Sequence, residues 1–278
     1  MMQTLKKLFK LYIYSLLIVA LNSCDIISNR YPIEFVTAKR DTTHKIAGKK
    51  EKFITVYEAS ADLDFMAANE PTYENIANYI NKQISQELLK TDFTDTTETV
   101  NLYLKNKTTD FENEMSELYD EIVLMKETDT TEVATIINIP QFNHATGRAK
   151  YGFDGIIIYT FTEDIYLGGA HPQTITTLIC FNSQTGNKIH KEDIFRNNTE
   201  KILAQKLTEK LMESRGAESI EDLWEEGILE FEEMYVTTNF ALEEDSIRFH
   251  YNAYDIAPYS VGSITISLSY KELKDILL

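Results

Sequence analysis

Apolar residues recur along this chain at two spacings, and the spacing switches several times. After Pro71, Ile76, Tyr79, Ile80, Ile84 and Leu88 lie three or four residues apart, the mark of one helix face. Pro71 stands where a helix start tolerates it. Val100, Tyr103, Leu104, Phe111, Met115, Leu118, Tyr119 and Ile122 predict a second helix by the same criterion. The centre then turns to short β-branched and aromatic runs at 133–139, 155–162 and 174–181, the first closed by Pro140. Two further helices are expected. One spans about 199–214, with Ile202, Leu203, Leu207 and Leu211 on one side; the next spans about 220–235, with Leu223, Trp224, Ile228 and Phe231 together. Strands return at 235–242, 246–251 and 263–270. In the last, Ile264, Ile266, Leu268 and Tyr270 alternate with Thr265, Ser267 and Ser269, and a short helix is expected from Lys271.

An additional strand is expected at 53–57, and six of the ten glycines fall between Gly147 and Gly186, where they suggest turns and close backbone approach. The run 182–187, Asn-Ser-Gln-Thr-Gly-Asn, reads as a hairpin turn. Strand and helix runs are segregated rather than strictly alternating. The fold class this predicts is α+β, with largely antiparallel sheets and packed helices.

The N-terminus has a separate logic. Lys6, Lys7 and Lys10 precede the apolar run 11–21, which is too short for a stable membrane span and suits the core of a signal peptide. Leu21-Asn22-Ser23-Cys24 follows directly and resembles a bacterial lipobox, in which the Cys is acylated and becomes the first residue. The expectation is a lipoprotein signal peptide at 1–23 and a polar tether at 24–50. The lipid bilayer, reached through acylated Cys24, is then a partner, since several acyl chains hold a domain where one is marginal. Of the two cysteines, Cys180 is left without an intrachain partner; it lies in an apolar strand and reads as a core residue.

Charge narrows the partners. The 278 residues carry 44 acidic and 27 basic side chains, a net charge of −17. Loss of residues 1–23 would remove three lysines and no acid, leaving 24 basic residues against 44 acids, or −20. Such a surface excludes nucleic acid, whose phosphates need Lys and Arg. The stretch 218–233 holds eight acids and no Lys or Arg, a field able to steer a cationic partner.

Few residues suggest chemistry. His171 follows the flexible pair Gly168-Gly169 and precedes Pro172. It reads either as a binding residue or as part of a turn in which the imidazole bonds to backbone. His44, His144, His190 and His250 show no ligand spacing with it, so no metal site and no cofactor is expected. The segment 251–262 carries Tyr251, Tyr254, Asp255 and Tyr259. Tyrosine-rich loops offer contact area at low entropy cost, and the other reading is a bulged connection with inward tyrosines. The candidate binding residues are therefore Gly168, Gly169, His171, Tyr254, Asp255 and Tyr259. No catalytic residue is assigned.

Three motifs carry a family resemblance: Tyr166-Leu167-Gly168-Gly169-Ala170-His171-Pro172; the hairpin 181–189 with Glu192-Asp193-Ile194-Phe195 after it; and the block 251–262, Tyr-Asn-Ala-Tyr-Asp-Ile-Ala-Pro-Tyr-Ser-Val-Gly. Their order and wording are similar to those of proteins with paired DUF4163 and DUF3298 domains, the RsiV-like family. The resemblance implies two adjoining subdomains, DUF4163-like at 51–181 and DUF3298-like at 182–278. Family members include the extracellular part of an anti-sigma factor that binds lysozyme, a domain attached to a peptidoglycan deacetylase, and envelope lipoproteins of Bacteroidetes. This chain shows no membrane-spanning helix joined to a sigma-binding tail and lacks the esterase metal motifs. What the resemblance implies is a lipid-anchored envelope protein on the periplasmic side, with a non-catalytic role in binding a cationic protein such as lysozyme or a peptidoglycan fragment. The alternatives are a glycan-modifying enzyme of the cell wall and a structural subunit of an envelope complex.

Overall fold

The structure, a computed structural model, describes residues 31–47, 54–125, 140–230 and 233–278. The chain is α+β, with two sheets that are antiparallel except at one pairing. The first holds five strands in sequence order: β1 (Ile33–Ala47), β2 (Ile54–Ala68), β3 (Gln141–Tyr151), β4 (Ile157–Tyr166) and β5 (Gln173–Phe181). Only β2 and β3 run parallel, and the helices α1 (Glu74–Ile84) and α2 (Thr96–Met125) lie between them in sequence. The second sheet holds β6 (Phe240–Leu242), β7 (Ser246–Tyr251) and β8 (Ile264–Ser269), accompanied by α3 (Glu200–Arg215), α4 (Ile220–Glu225) and α5 (Tyr270–Leu273).

Two apolar cores result, and β4 and β5 serve both. Ile157, Tyr159, Phe161, Ile179 and Phe181 point into the first, with Tyr57, Leu63 and Phe65 of β2, Ile80 and Ile84 of α1, and Tyr103 and Phe111 of α2. The alternate residues Ile158, Leu178 and Cys180 point into the second, with Leu203, Leu207 and Leu211 of α3 and Phe249 and Ile266 of the second sheet. Strands buried on both faces read as continuous apolar runs, which is why 155–162 and 174–181 stood out in the sequence. Cys180 is a core residue: burial pushes its thiol up to about 12, and its Sγ accepts the Leu242 N–H at 3.4 Å.

The outer edge of β5 meets the second sheet through side-chain amides. Asn239 Oδ1 accepts the Leu178 N–H at 2.7 Å and its Nδ2 donates to the Thr176 carbonyl at 2.8 Å. Asn252 Oδ1 accepts the Thr176 N–H at 2.7 Å, and its Nδ2 shares the same carbonyl at 3.2 Å. These two side chains stand in for the strand that β5 lacks on that side.

Several expectations are corrected. Residues 33–47, read as part of a polar tether, form β1, paired with β2 along its whole length. Its polar residues mislead because an edge strand with a solvated face is polar by necessity. β3 was not expected: Asn143, His144, Gly147 and Lys150 hide it, although Gln141, Asn143 and Ala145 are buried. The helix expected to 235 stops at Glu225, because Gly227 and Leu229 both take positive φ, 76° and 62°. The strand expected from 235 begins only at Phe240, and Ile202 faces outward on α3. The strand expected at 133–139, the signal peptide at 1–23, Cys24 and residues 24–30 lie outside the described residues. Among the described residues no helix is long and apolar enough to cross a membrane.

Candidate functional site

The two segments singled out in the sequence, 166–172 and 251–262, meet at one end of the molecule. The first is the connection between β4 and β5. Gly168 and Gly169 take φ of +99° and +101°, conformations that side chains resist, and the Tyr166 hydroxyl donates to the Gly169 carbonyl at 3.1 Å. The turn thereby delivers His171 to the second segment, which links β7 to β8.

There the imidazole ring stacks on Tyr259, with centroids 3.5 Å apart and planes at 11°. Its Nδ1 lies 3.1 Å from the Pro172 carbonyl, which can only accept, so Nδ1 carries the proton. Nε2 then accepts from the Tyr254 hydroxyl at 3.1 Å. The imidazole thus bonds to backbone within its own turn and packs against two aromatic residues of the other segment.

Tyr254 is the strained member. Its φ is +72°, and it is 57% exposed. A non-glycine residue there costs of order 1–3 kcal/mol unless the surroundings impose it. Here they do: the Tyr254 N–H donates to the Ala257 carbonyl at 2.9 Å, and the Asp255 carboxylate accepts the Asn252 N–H at 2.7 Å. Asp255 thus shapes the loop, and that loop holds an exposed aromatic ring outward. Gly168 and Gly169 act likewise, through backbone conformation.

The end of the acidic stretch, with Glu230, reaches the same place. A shallow hollow of about 280 Å³ lies between Gly227, Leu229 and Glu230 on one side and Tyr254, Asp255 and Pro258 on the other. The Leu229 N–H donates to the Ile256 carbonyl at 2.7 Å, tying the two loops. Glu230 and Asp255 therefore flank Tyr254, the outer member of the aromatic group it forms with His171 and Tyr259.

Two polar residues near this end, Asn239 and Gln141, escaped the sequence reading, and Asn252 was read only as a polar member of the segment 251–262. Asn239 and Asn252 dock the second sheet, as described above. Gln141 is buried beside Gly168, and its amide has no hydrogen-bond partner among the described residues. No spacing rule marks such residues, since their partners are backbone groups distant in sequence. Among the described residues no three His, Cys, Asp or Glu side chains are grouped to hold a metal ion.

His250, on β7 just before the segment 251–262, is buried and bonded through Nδ1 to Thr265 Oγ1 at 3.0 Å. Burial holds its pKa below the ordinary imidazole range. A group kept neutral by the fold binds its proton more readily when unfolded. Stability is therefore level above the ordinary value of ~6.5 and falls as pH drops below it. Denaturation midpoints at pH 7 and pH 5 should fall further apart for the wild type than for His250→Gln. Equal losses in both would show that another group is responsible.

Taken as a class, this is a two-sheet α+β protein whose exposed aromatic patch joins two loops. Residues 192–271 match the family model DUF3298, described as a protein of unknown function, so a DUF3298 domain covers α3 through β8. A solved structure of a DUF3298 family member from Bacteroides fragilis NCTC 9343 has a TM-score of 0.74 at 18% identity, covering 88% of this chain and 94% of that one. A DUF3298 family protein from Pseudomonas aeruginosa PAO1 has a TM-score of 0.52 at 14% identity, covering 88% and 95%. At these identities the likeness is one of fold. No curated protein matches the chain.

Proposed function

We propose that this chain is a non-catalytic, lipid-anchored protein of the cell envelope, held by acylated Cys24, which binds a cationic protein through the patch of His171, Tyr254 and Tyr259. The observation that carries this reading is the strained, exposed Tyr254, set among stacked rings and rimmed by Glu230 and Asp255. Aromatic faces and carboxylates together suit Lys and Arg side chains, by cation–π contact and by charge. The loops are pre-shaped by their own hydrogen bonds, which lowers the entropy cost of binding. The resemblance of 51–181 to DUF4163 and of the whole to RsiV-like proteins supports lysozyme, a basic protein, as the first partner to test; a peptidoglycan fragment is the next.

Titration of the detergent-solubilised full chain with lysozyme across a salt series tests this. Binding is expected at low salt and should weaken as salt screens the charges. Tyr254→Ala and Tyr259→Ala should each weaken it by at least about tenfold, the scale of an interface anchor, with thermal midpoints kept. Absence of binding at low salt overturns lysozyme as partner, and undiminished binding by the double variant overturns the site. Turnover of muropeptides by the purified chain, abolished in His171→Ala, would replace the whole reading with that of a glycan-modifying enzyme.

A further inference from the structure

The molecule has opposite ends of opposite character. β5 runs nine residues from Gln173, beside His171, to Phe181, a length of about 30 Å. β7 and β8 span the same direction: Tyr251 pairs with Ile264 near the aromatic patch, and Ser246 pairs with Ser269 at the far end. At that far end lies an open groove of about 1000 Å³. Its walls include Tyr79 of α1, Phe153 and Ile156 before β4, Ile189 after β5, Tyr270, and Leu278. Tyr79, Phe153 and Leu278 are 46%, 47% and 74% exposed, a concentration of large apolar side chains on one rim. Phe153 is turned outward by Asp154 and Gly155, both at positive φ (48° and 76°).

The chain enters the fold at this same rim. Tyr31, the first described residue, stacks on Tyr151 at 3.8 Å. Its ring also stands 3.1 Å from where a Cβ on Gly155 would be. Cys24 is seven residues earlier, and seven residues reach at most about 25 Å. If Cys24 carries lipid, the bilayer surface lies within that distance of the groove. Glu230 of the acidic stretch, by contrast, lies at the aromatic end beside Tyr254 and Asp255.

We infer that the groove end docks on the bilayer, with Phe153 and Leu278 at the interface, and that the aromatic patch is thereby held about 30 Å out, facing away from the membrane. The inference rests on the anchor at Cys24 and adds an orientation to it. Aromatic and aliphatic side chains with wet neighbours suit the headgroup boundary, and a tether this short favours one face over the others.

The test uses the full, lipidated chain in vesicles of phosphatidylethanolamine and phosphatidylglycerol. Nitroxide labels are placed singly at Phe153→Cys, Leu278→Cys and, as the distal control, Tyr259→Cys. The labels at 153 and 278 should be several-fold less accessible to a water-soluble relaxation agent than the label at 259, and more accessible to oxygen. Equal aqueous accessibility of all three in chains that float with the vesicles would overturn the docking and leave the anchor standing. Chains that fail to float overturn the anchor, and the docking with it. Phe153 and Leu278 are exposed, so both labelled chains should keep their thermal midpoints.

Discussion

Gly152→Ala is expected to destabilise the protein by about 3 kcal/mol or more, among the largest costs of any single methyl group in the chain. Gly152 follows β3 and lies against the backbone of β6. A Cβ there would fall far inside van der Waals distance of the Leu242 carbonyl oxygen and 2.6 Å from Ile158 Cδ1. A flexible side chain could yield, but a carbonyl fixed within the second sheet cannot move without shifting β6. Ile158 is fully buried and has no room to retreat. The cost should appear as a lower denaturant midpoint and a loss of near-ultraviolet dichroism from the second core. Gly169→Ala makes a useful contrast, because no atom lies within 4 Å of its Cβ and only the φ of +101° opposes it. Wild-type stability in Gly152→Ala would mean that the two sheets do not approach as closely as described.

Asn239→Ala should be the next most damaging change, at about 2 kcal/mol, with Asn252→Ala close to it. Each removes a side-chain amide that satisfies a backbone N–H on the outer edge of β5, Leu178 in one case and Thr176 in the other. Leu178 is buried, so its orphaned N–H has no water to turn to. Both amides share the Thr176 carbonyl, so the double variant should lose more than the two single losses added. Amide hydrogen exchange reads this directly: the Leu178 N–H should lose its protection in Asn239→Ala and keep most of it in Asn252→Ala. Unchanged exchange at Leu178 would show that some other group caps that edge.

These two positions also show where the sequence is readable and where it is silent. Periodicity found α1, α2, α3 and the strands β4, β5, β7 and β8, because their apolar residues face a core at a fixed interval. It missed β1 and β3, whose polar residues serve a solvated face or are buried with partners on other strands. It overran α4, since a leucine at φ 62° carries no mark in the sequence. At the candidate site, His171, Tyr254 and Tyr259 were each recognisable from composition and neighbouring glycines. That they form one patch was not, because their meeting depends on the second sheet docking against the outer edge of β5. The docking role of Asn239 and Asn252 gave no signal: a polar residue bonding to distant backbone looks like any loop asparagine until the strand it caps is in view.

One property of β1 bears on the proposed tether at its N-terminal side. Fifteen residue pairs join β1 to β2, with hydrogen bonds that run across the strands. Tension entering at Tyr31 and resisted by a bound partner at the far end pulls along β1, not away from its neighbour. Such a load shears all the pairs at once instead of peeling them singly. If the proposed anchor and partner hold, the strand that looked like slack rope in the sequence is placed to work as a mechanical clamp under such a load.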